Sequence, residues 1–311
     1  MNSKRQQRTD IPLLGSFSTR SLSIGLLTVV AAAYTILNIA SRFLAEGFPV
    51  MTQVYMRVSL GTLMLTILFW KSLRWKRIVT MPKRDFVVML SMGIIGFTLA
   101  VFFITLGVLN TKLVNVTVVF ASVPFFSYLY SFLFLKKTIH YKLIGLLCIS
   151  LIGIMFLSTK SFTPKLTSFG LGEWFALLAA ATAGWYYVGR KLLSNHLSIK
   201  EITVVIMMIA SLSAFILALI RGETFSLSAF THPLVLLGLF MGSSMNALVN
   251  PIEIFAFKHL DAVVGTQVLL LDNIFALILG YLIFSETVVF PELVGGLIVI
   301  CSVYFANKLP Q

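Results

Sequence analysis

The sequence predicts an all-α integral membrane protein with ten transmembrane helices, arranged as two inverted five-helix repeats. Three observations lead to this prediction: an apolar composition, ten apolar segments of spanning length, and a similarity between the two halves of the chain. Of the 311 residues, 58% are hydrophobic and 11% are charged, and the mean hydropathy is +0.97. A soluble domain carries roughly 25% charged residues, so this chain cannot surround itself with a water-facing surface.

Ten segments of the chain are long and apolar enough to cross a membrane. A helix needs about 20 mostly apolar residues to cross the hydrocarbon core. A closed β-barrel would instead show short strands of alternating polarity, which the sequence lacks. The predicted spans are residues 22–44, 49–70, 86–109, 113–135, 142–158, 170–191, 200–220, 233–257, 262–284 and 291–307.

The basic residues predict the orientation, because Lys and Arg concentrate on the cytoplasmic side of a membrane. With the N-terminus inside, eighteen of the 24 lysines and arginines fall in cytoplasmic segments and five fall outside, while Arg57 lies within a span. We therefore expect a plasma (inner) membrane protein with both termini in the cytoplasm and a cytoplasmic tail over residues 1–21. The net charge of +13 does not indicate nucleic-acid binding, since the basic residues lie in short gaps between spans.

Two stretches near the ends of the two halves are similar. "FLKKTIHYKLIG" begins at Phe134 and "FSETVVFPELVG" begins at Phe284, and they share Phe, Leu and Gly at matching positions. This predicts two copies of one unit, residues 22–158 and 170–307. Because five is odd, the second copy enters the membrane from the opposite side. Inverted repeats are typical of secondary transporters, in which the substrate binds near the midplane and is exposed alternately to each side.

A family resemblance follows from these motifs. An acid nine residues before a glycine in the last hairpin, here Glu286 and Gly295, resembles the drug/metabolite transporter superfamily in its EamA branch. The first copy departs from the pattern, with Lys136 in place of the acid. "ASVPFF", with Pro124, resembles the proline-bearing fourth span, whereas no proline stands at the matching place near Asn273; "YMRVSLGTLML" resembles the second span. The resemblance implies movement of small metabolites, often amino acids or nucleotide-like compounds, commonly by export.

The pair Asp272 and Asn273 lies near the middle of the predicted ninth span. A charged side chain at that depth costs roughly 2.5–3.5 kcal/mol on insertion scales, so it persists where it is paired, faces a cavity or has a function. We interpret the pair as a candidate contact for the substrate or for a coupling proton. The structural alternative is a buried ion pair between Asp272 and Arg57 in span two.

A polar stripe follows one face of the eighth span. Ser243, Asn246, Asn250 and Glu253 are spaced by three, four and three residues, which places them on one side of a helix. This pattern predicts a polar lining. Alternatively, the two amides hold neighbouring helices together, and Glu253 pairs with Lys258 near the end of the span.

Aromatic residues at corresponding places in the two repeats indicate a second part of the lining. Tyr34 and Asn38 share a face of span one, and the stretch "AAATAGWYYVGRK" of span six contains Trp185 and Tyr186. Such a lining suits an organic ligand with an amine and an aromatic or apolar part. The alternative is an ordinary set of interfacial or lipid-facing aromatics.

Together these features predict a secondary transporter for a small amino-acid-like, zwitterionic or cationic metabolite. A passive channel or facilitator is the main alternative. A lipid-modifying enzyme is disfavoured, because the inner loops hold no paired catalytic residues, and no nucleotide-hydrolysis motif occurs. We expect no enzymatic activity, no cofactor and no metal site, since the two cysteines and four histidines are scattered. The expected partners are a small-molecule substrate and the lipid bilayer, and the sequence leaves the oligomeric state open.

Overall fold

The computed structural model describes residues 19–111, 113–138, 141–163, 170–284 and 287–309. Within these residues the regular structure is helical, and no strand occurs. Most of the predicted tail over residues 1–21 lies outside the described residues, as does Glu286. Span one begins at Thr19, which is three residues before its predicted start.

Ten helical segments follow the ten predicted spans. Spans one to five are Thr19–Leu44, Val50–Phe69, the joined helices Lys83–Ser91, Met92–Leu99 and Ala100–Asn110, the pair Leu113–Phe120 and Val123–Leu135, and Tyr141–Thr159. Spans six to ten are Leu171–Leu192, Ile199–Ile220, Pro233–His259, the pair Ala262–Leu269 and Asp272–Phe284, and Phe290–Lys308. Short helices connect some of them, at Trp70–Ser72, Trp75–Val79 and Leu227–Thr231.

Nine of these segments are long and apolar enough, within the described residues, to cross a membrane. Span six is not among the nine although it has 22 residues. Its ends carry Glu173, Arg190 and Lys191, and its middle is rich in alanine rather than in larger apolar residues. It nevertheless packs against spans three and four inside the bundle, where burial by protein replaces contact with lipid.

The packing of the spans repeats when each span is exchanged for its equivalent in the other half. Span one packs along span eight, and its equivalent, span six, packs along span three. Likewise span two contacts span eight as span seven contacts span three, and span one contacts span nine as span six contacts span four. Spans two and seven, four and nine, and five and ten pair with each other. This exchange relation is what two inverted five-helix repeats require.

Spans five and ten approach closely at two glycines. A Cβ on Gly153 would lie 2.8 Å from the carbonyl oxygen of Gly295, and a Cβ on Gly295 would lie 2.5 Å from that of Gly153. Neither position accepts a side chain without separating the backbones. Small residues at such a crossing allow membrane helices to gain dispersion contacts that larger side chains would prevent.

Both ends of the bundle come together on one side. The Arg20 guanidinium, at the start of span one, donates to the Leu309 carbonyl at 3.3 Å, directly after span ten. We call this side, which holds the ends of spans one and ten, the terminal face, and the opposite side the far face. The start of span one and the end of span ten therefore share one side of the bundle, in keeping with an even number of spans.

Candidate functional site

Spans four and nine are both interrupted at the same place of the repeat. The helix of span four breaks at Ala121 and Ser122, and that of span nine breaks at Leu270 and Leu271. Pro124 explains the first break, because proline donates no backbone hydrogen bond and its ring opposes the preceding turn. Span nine breaks without a proline. Interrupted helices near the midplane, at the interface of two repeats, form the substrate sites of many transporters.

Asp272 and Asn273 lie directly at the break of span nine. Asp272 is the first residue of the second half-helix, where the helix dipole favours a negative charge. The Asn273 amide donates to the Asp272 carboxylate at 2.7 Å and to the Leu270 carbonyl at 3.2 Å, so it spans the interruption. From span one, the Thr35 hydroxyl donates to the Asp272 carbonyl at 3.3 Å. These contacts hold the position of Asp272 without supplying a cation to its carboxylate.

Glu253 lies where spans one, six and eight meet, and only 2% of its surface is exposed. The Tyr34 hydroxyl donates to its carboxylate at 2.6 Å. The hydroxyl oxygens of Tyr34 and Tyr187 lie 3.5 Å apart, and the Tyr187 ring packs on Phe257 with centroids 4.6 Å apart. The pairing of Glu253 with Lys258 that the sequence allowed is not formed, since the ion pairs among the described residues do not include it. A phenol rather than a cation therefore faces this carboxylate.

The polar stripe of span eight is buried along its whole length. Its members are Ser243, Asn246, Asn250 and Glu253. Each amide donates to its own helix one turn earlier, from Asn246 to the Gly242 carbonyl at 2.8 Å and from Asn250 to the Asn246 carbonyl at 2.9 Å. The Asn250 amide oxygen also accepts from the Tyr186 hydroxyl of span six at 3.2 Å. Asn250 thus joins spans six and eight, as the structural alternative expected for an amide.

Tyr186 is positioned by a glycine of span three. A Cβ on Gly96 would lie 2.8 Å from the Tyr186 Cβ and 2.9 Å from its Cα. Gly96 belongs to the π-helical stretch Met92–Leu99, a type of irregularity that frequently occurs at functional sites. The close approach of spans three and six therefore depends on this missing side chain.

The other described acidic residues have structural partners or lie at the surface. Capping explains four of them, since they accept hydrogen bonds from backbone N–H groups at the starts of spans: Glu173, Glu201, Asp261 and Glu292. Glu223 accepts from the start of span two, Asp85 accepts from Ser194, and Glu46 is exposed. Two of the nine described acids remain, Glu253 and Asp272, which lie inside the bundle and have no ion pair with a cation of the described residues.

Arg57 does not form the ion pair with Asp272 that the sequence allowed. Its guanidinium donates to the Ser41 hydroxyl of span one, and no described carboxylate lies within ion-pair distance of it. Its side chain runs past Gly242, where a Cβ would lie 3.3 Å from the Arg57 Cδ. Arg57 lies only two turns from the far-face end of span two. It therefore joins spans one, two and eight on the far-face side of Glu253 and Asp272.

Two further candidates differ in their surroundings. Trp185 donates its indole N–H to the Ser91 hydroxyl at 3.1 Å and packs against Tyr130 and Phe134 of span four. It therefore belongs to a contact of spans three, four and six rather than to the group around Glu253. Asn38 has an exposed side chain, although it follows Tyr34 by one turn on a face that points into the bundle. Exposure on an inward face indicates open space beside span one.

The two halves of span nine differ sharply in burial and in their packing against span four. Every residue from Asp261 to Leu270 is buried, whereas residues 271–279 include no buried residue. Correspondingly, the terminal-face halves of spans four and nine pack together, and their far-face halves, within the described residues, do not pack in this way. Asp272 lies at the boundary between these two regions. The bundle is therefore closed beneath Asp272 on the terminal face and more open above it on the far face.

Polar contacts reinforce the closure on the terminal face. Lys137, two residues after the end of span four, forms an ion pair with Asp261 at the start of span nine. Arg190 of span six donates to the Ile254 carbonyl of span eight at 3.2 Å, and Lys191 donates to the Lys258 carbonyl at 3.1 Å. At the terminal face, these contacts tie span four to span nine and span six to span eight.

Sequence reasoning did not select Thr35, and among the aromatic residues of span six it selected Trp185 and Tyr186 as site residues rather than Tyr187. The stretch around Trp185 is conspicuous for its aromatic residues, but the face that packs inward is marked by small residues. Ala180, Ala183 and Gly184 are all buried, and Tyr187 follows Gly184 by three residues on that face. A count of small residues by helical period would have favoured Tyr187 over Trp185.

Comparison with known proteins agrees with this architecture. A solved structure entitled "Crystal structure of protein" superposes with a TM-score of 0.75 at 13% sequence identity, over 94% of this chain and 100% of that chain, which shows a shared fold. No curated protein matches the sequence. The sequence profile of the EamA-like transporter family, whose members are membrane transporters of small molecules, matches residues 21–159 and 170–308. With both repeats matched over nearly its whole length, the chain belongs to the EamA-like transporter family.

Proposed function

We propose that this protein is a secondary transporter that carries a small organic compound with a cationic amine across the membrane by alternating access. The observation that carries the proposal is the pair of carboxylates, Glu253 and Asp272, that lack a cationic partner inside the bundle. An ionised carboxylate at membrane depth is costly unless a positive group or a proton compensates it. A cationic or zwitterionic substrate supplies such a group.

The surrounding side chains suit the rest of such a ligand. Asp272 lies at the base of the far-face opening, and Asn38 is exposed within reach of the same opening. The rings of Tyr34 and Tyr187 provide surface for an apolar or aromatic part of the ligand, and their hydroxyls provide polar contacts. We place the amine of the substrate at Asp272 and its apolar or aromatic part toward these tyrosines.

The exchange relation between the repeats supplies the transport cycle. The described state packs the terminal-face halves of spans four and nine and leaves their far-face halves apart. Exchanging the conformations of the two repeats closes the far-face halves and opens the terminal face. Asp272, at the boundary of the two halves, is then reached from either side in turn. We assign the terminal face to the cytoplasm, because the basic residues are concentrated there.

The two carboxylates differ in access, which suggests separate roles in coupling. Asp272 borders the opening, whereas Glu253 is enclosed by Tyr34, Tyr187 and Phe257. We assign the substrate amine to Asp272 and a coupling proton to Glu253. The enclosed position excludes a bulky ligand but admits a proton through the Tyr34 hydroxyl.

The test is binding followed by transport. A thermal-shift screen of the purified protein against amino acids, nucleosides and polyamines identifies a ligand, and the same ligand is then measured in proteoliposomes. We expect Asp272→Asn to fold normally, because asparagine still accepts from Asn273, but to lose ligand stabilisation and flux. Glu46→Gln, an exposed acid of the far-face loop, is the matched control and keeps both.

Three outcomes would contradict the proposal. Wild-type flux in Asp272→Asn removes Asp272 from the site. A ligand without a basic group refutes the substrate class. Flux that does not saturate with substrate concentration indicates a channel or facilitator instead of a carrier.

A further inference from the structure

A cavity of about 310 Å³ lies at the terminal face, apart from the group around Glu253. It is formed by the end of span four, the start of span five, the start of span nine and the end of span ten. Its polar residues include Ser131, Lys136, Lys137 and Asp261, and the rest of its wall is mainly apolar. These elements end at the level where the headgroups of a bilayer begin, so the cavity lies at the interface of the adjacent leaflet.

The charge of this cavity is positive. Asp261 is already engaged twice, by the Lys137 ammonium and by the backbone N–H of Val263 at 2.8 Å. Lys136 is exposed, and its ammonium has no hydrogen bond or ion pair to another described residue. It holds a left-handed backbone conformation with φ of 52°, which ends span four and turns the chain at the edge of the cavity. One cation is therefore neutralised and a second remains available to an anion.

A buried hydroxyl in the same wall lacks a partner. Only 1% of Ser131 is exposed, and its Oγ has no hydrogen bond in the described structure. A buried polar group without a partner is destabilising, so such groups are usually satisfied by a ligand or by water. A hydroxyl donor beside a free ammonium matches an anionic oxygen.

We propose that this cavity binds the phosphate of an anionic phospholipid from the adjacent leaflet. The phosphate contacts Lys136 and Ser131, and an acyl chain follows the apolar wall along Phe132, which is 45% exposed. A lipid suits the cavity better than a free anion, because the lining is mainly apolar. Basic pockets between membrane helices on the cytoplasmic side commonly bind such headgroups.

The site also has a mechanical consequence, because Lys137 both lines the cavity and closes spans four and nine. A phosphate held beside Lys136 competes with Asp261 for the Lys137 ammonium. Bound lipid therefore weakens the ion pair that keeps the terminal face closed. This inference does not depend on the identity of the transported substrate.

The test measures lipid binding to the full-length purified protein in neutral detergent. Phosphatidylglycerol and phosphatidylcholine with the same acyl chains are titrated, and the bound stoichiometry by native mass spectrometry and the Tm are recorded. We expect saturable binding of phosphatidylglycerol, weakened about fivefold by Lys136→Gln, as expected for one basic residue at an anionic surface. The matched control is Lys71→Gln, an exposed lysine of the terminal face outside the cavity, which keeps wild-type binding.

A second variant and a second ligand keep the test decisive. Ser131→Ala removes a hydroxyl that has no partner among the described residues, so the variant should fold normally. It should nevertheless bind phosphatidylglycerol more weakly than the wild-type protein does. Equal losses in Lys136→Gln and Lys71→Gln would overturn the site in favour of diffuse surface charge. Equal binding of phosphatidylcholine would overturn the role of the anionic headgroup, and inorganic phosphate with the same effect as phosphatidylglycerol would overturn the lipid.

Discussion

The Tyr34 hydroxyl of span one donates a hydrogen bond of 2.6 Å to the Glu253 carboxylate of span eight. Spans one and eight have one of the most extensive contacts in the bundle, and this bond lies inside it. Because Glu253 has no cation nearby among the described residues, the phenol is the main polar partner that compensates its burial. The bond therefore links the packing of the two spans to the protonation of a carboxyl group.

Removing this hydroxyl should alter coupling more than folding. Tyr34→Phe keeps the aromatic ring packed between the spans but removes the hydroxyl that donates to Glu253. Loss of such a bond inside a membrane protein lowers the free energy of unfolding by about 0.5–2 kcal/mol. We expect a Tm lowered by a few degrees and a marked change in the pH dependence of flux in proteoliposomes. Tyr281→Phe, whose exposed hydroxyl makes no such bond, is the control. An unchanged pH profile in Tyr34→Phe would show that the bond is only structural.

Asn273 should contribute to stability through the break of span nine. Asn273→Ala removes both amide bonds, to Asp272 and to the Leu270 carbonyl, and we expect a loss of about 1–2 kcal/mol. The control is Asn110→Ala, which removes a similar amide-to-carbonyl bond of 2.8 Å at an exposed position. Thermal unfolding of the two variants in the same detergent makes the comparison. Equal effects would mean that the break needs no side-chain support.

Two glycines in spans of similar apolar character should respond oppositely to alanine. A Cβ on Gly96 would meet the backbone and Cβ of Tyr186 at less than 3.0 Å, whereas nothing lies within 4 Å of a Cβ on Gly145. Overpacking costs about 1–3 kcal/mol, while alanine in an open helical position is favourable by up to about 1 kcal/mol. We therefore expect Gly96→Ala to lower the Tm and Gly145→Ala to keep or raise it. A Gly96→Ala protein as stable as wild type would show that spans three and six can separate freely.

The ion pair between Lys137 and Asp261 should behave as a closure of the terminal face. Lys137→Gln removes the charge on one side, and Asp261→Asn removes it on the other while keeping a good N-cap for span nine. A pair with one partly exposed partner contributes about 1 kcal/mol or less. We expect each variant to increase labelling of cysteines introduced between the terminal-face halves of spans four and nine. The double variant should add little, because either single change already breaks the pair.

Much of the architecture could be predicted because it depends on long-range composition. Apolar segments of spanning length predict the ten spans. The odd number of spans in each half predicts that the second repeat is inverted relative to the first. The depth of Asp272 also followed, since it depends only on residue counts along a span. The break beside it did not, because Leu270 and Leu271 carry no proline or glycine and the interruption is imposed by packing.

The membership of the site was harder to predict, because it depends on which faces meet. Trp185 and Tyr187 are two residues apart and point to different neighbours, span four and span one. Arg57 lies at a depth that suggested a partner for Asp272, but its guanidinium reaches Ser41 instead. Rotation about a helix axis is set by close backbone contacts, such as that of Gly96 with Tyr186, which hydropathy does not encode.

The contact between Gly153 and Gly295 has a consequence for the balance of the two states in the proposed cycle. Because Gly145 matches Gly295 in the repeat, Gly153 matches Val303, and exchange of the two repeats carries this contact to Gly145 and Val303. The glycine contact therefore belongs to the described state, in which nothing lies within 4 Å of a Cβ on Gly145. A bulkier residue at Gly153 would disfavour that state relative to the exchanged one. A position remote from the carboxylates would then change the apparent affinity for a substrate, because it changes the population of the state that binds it.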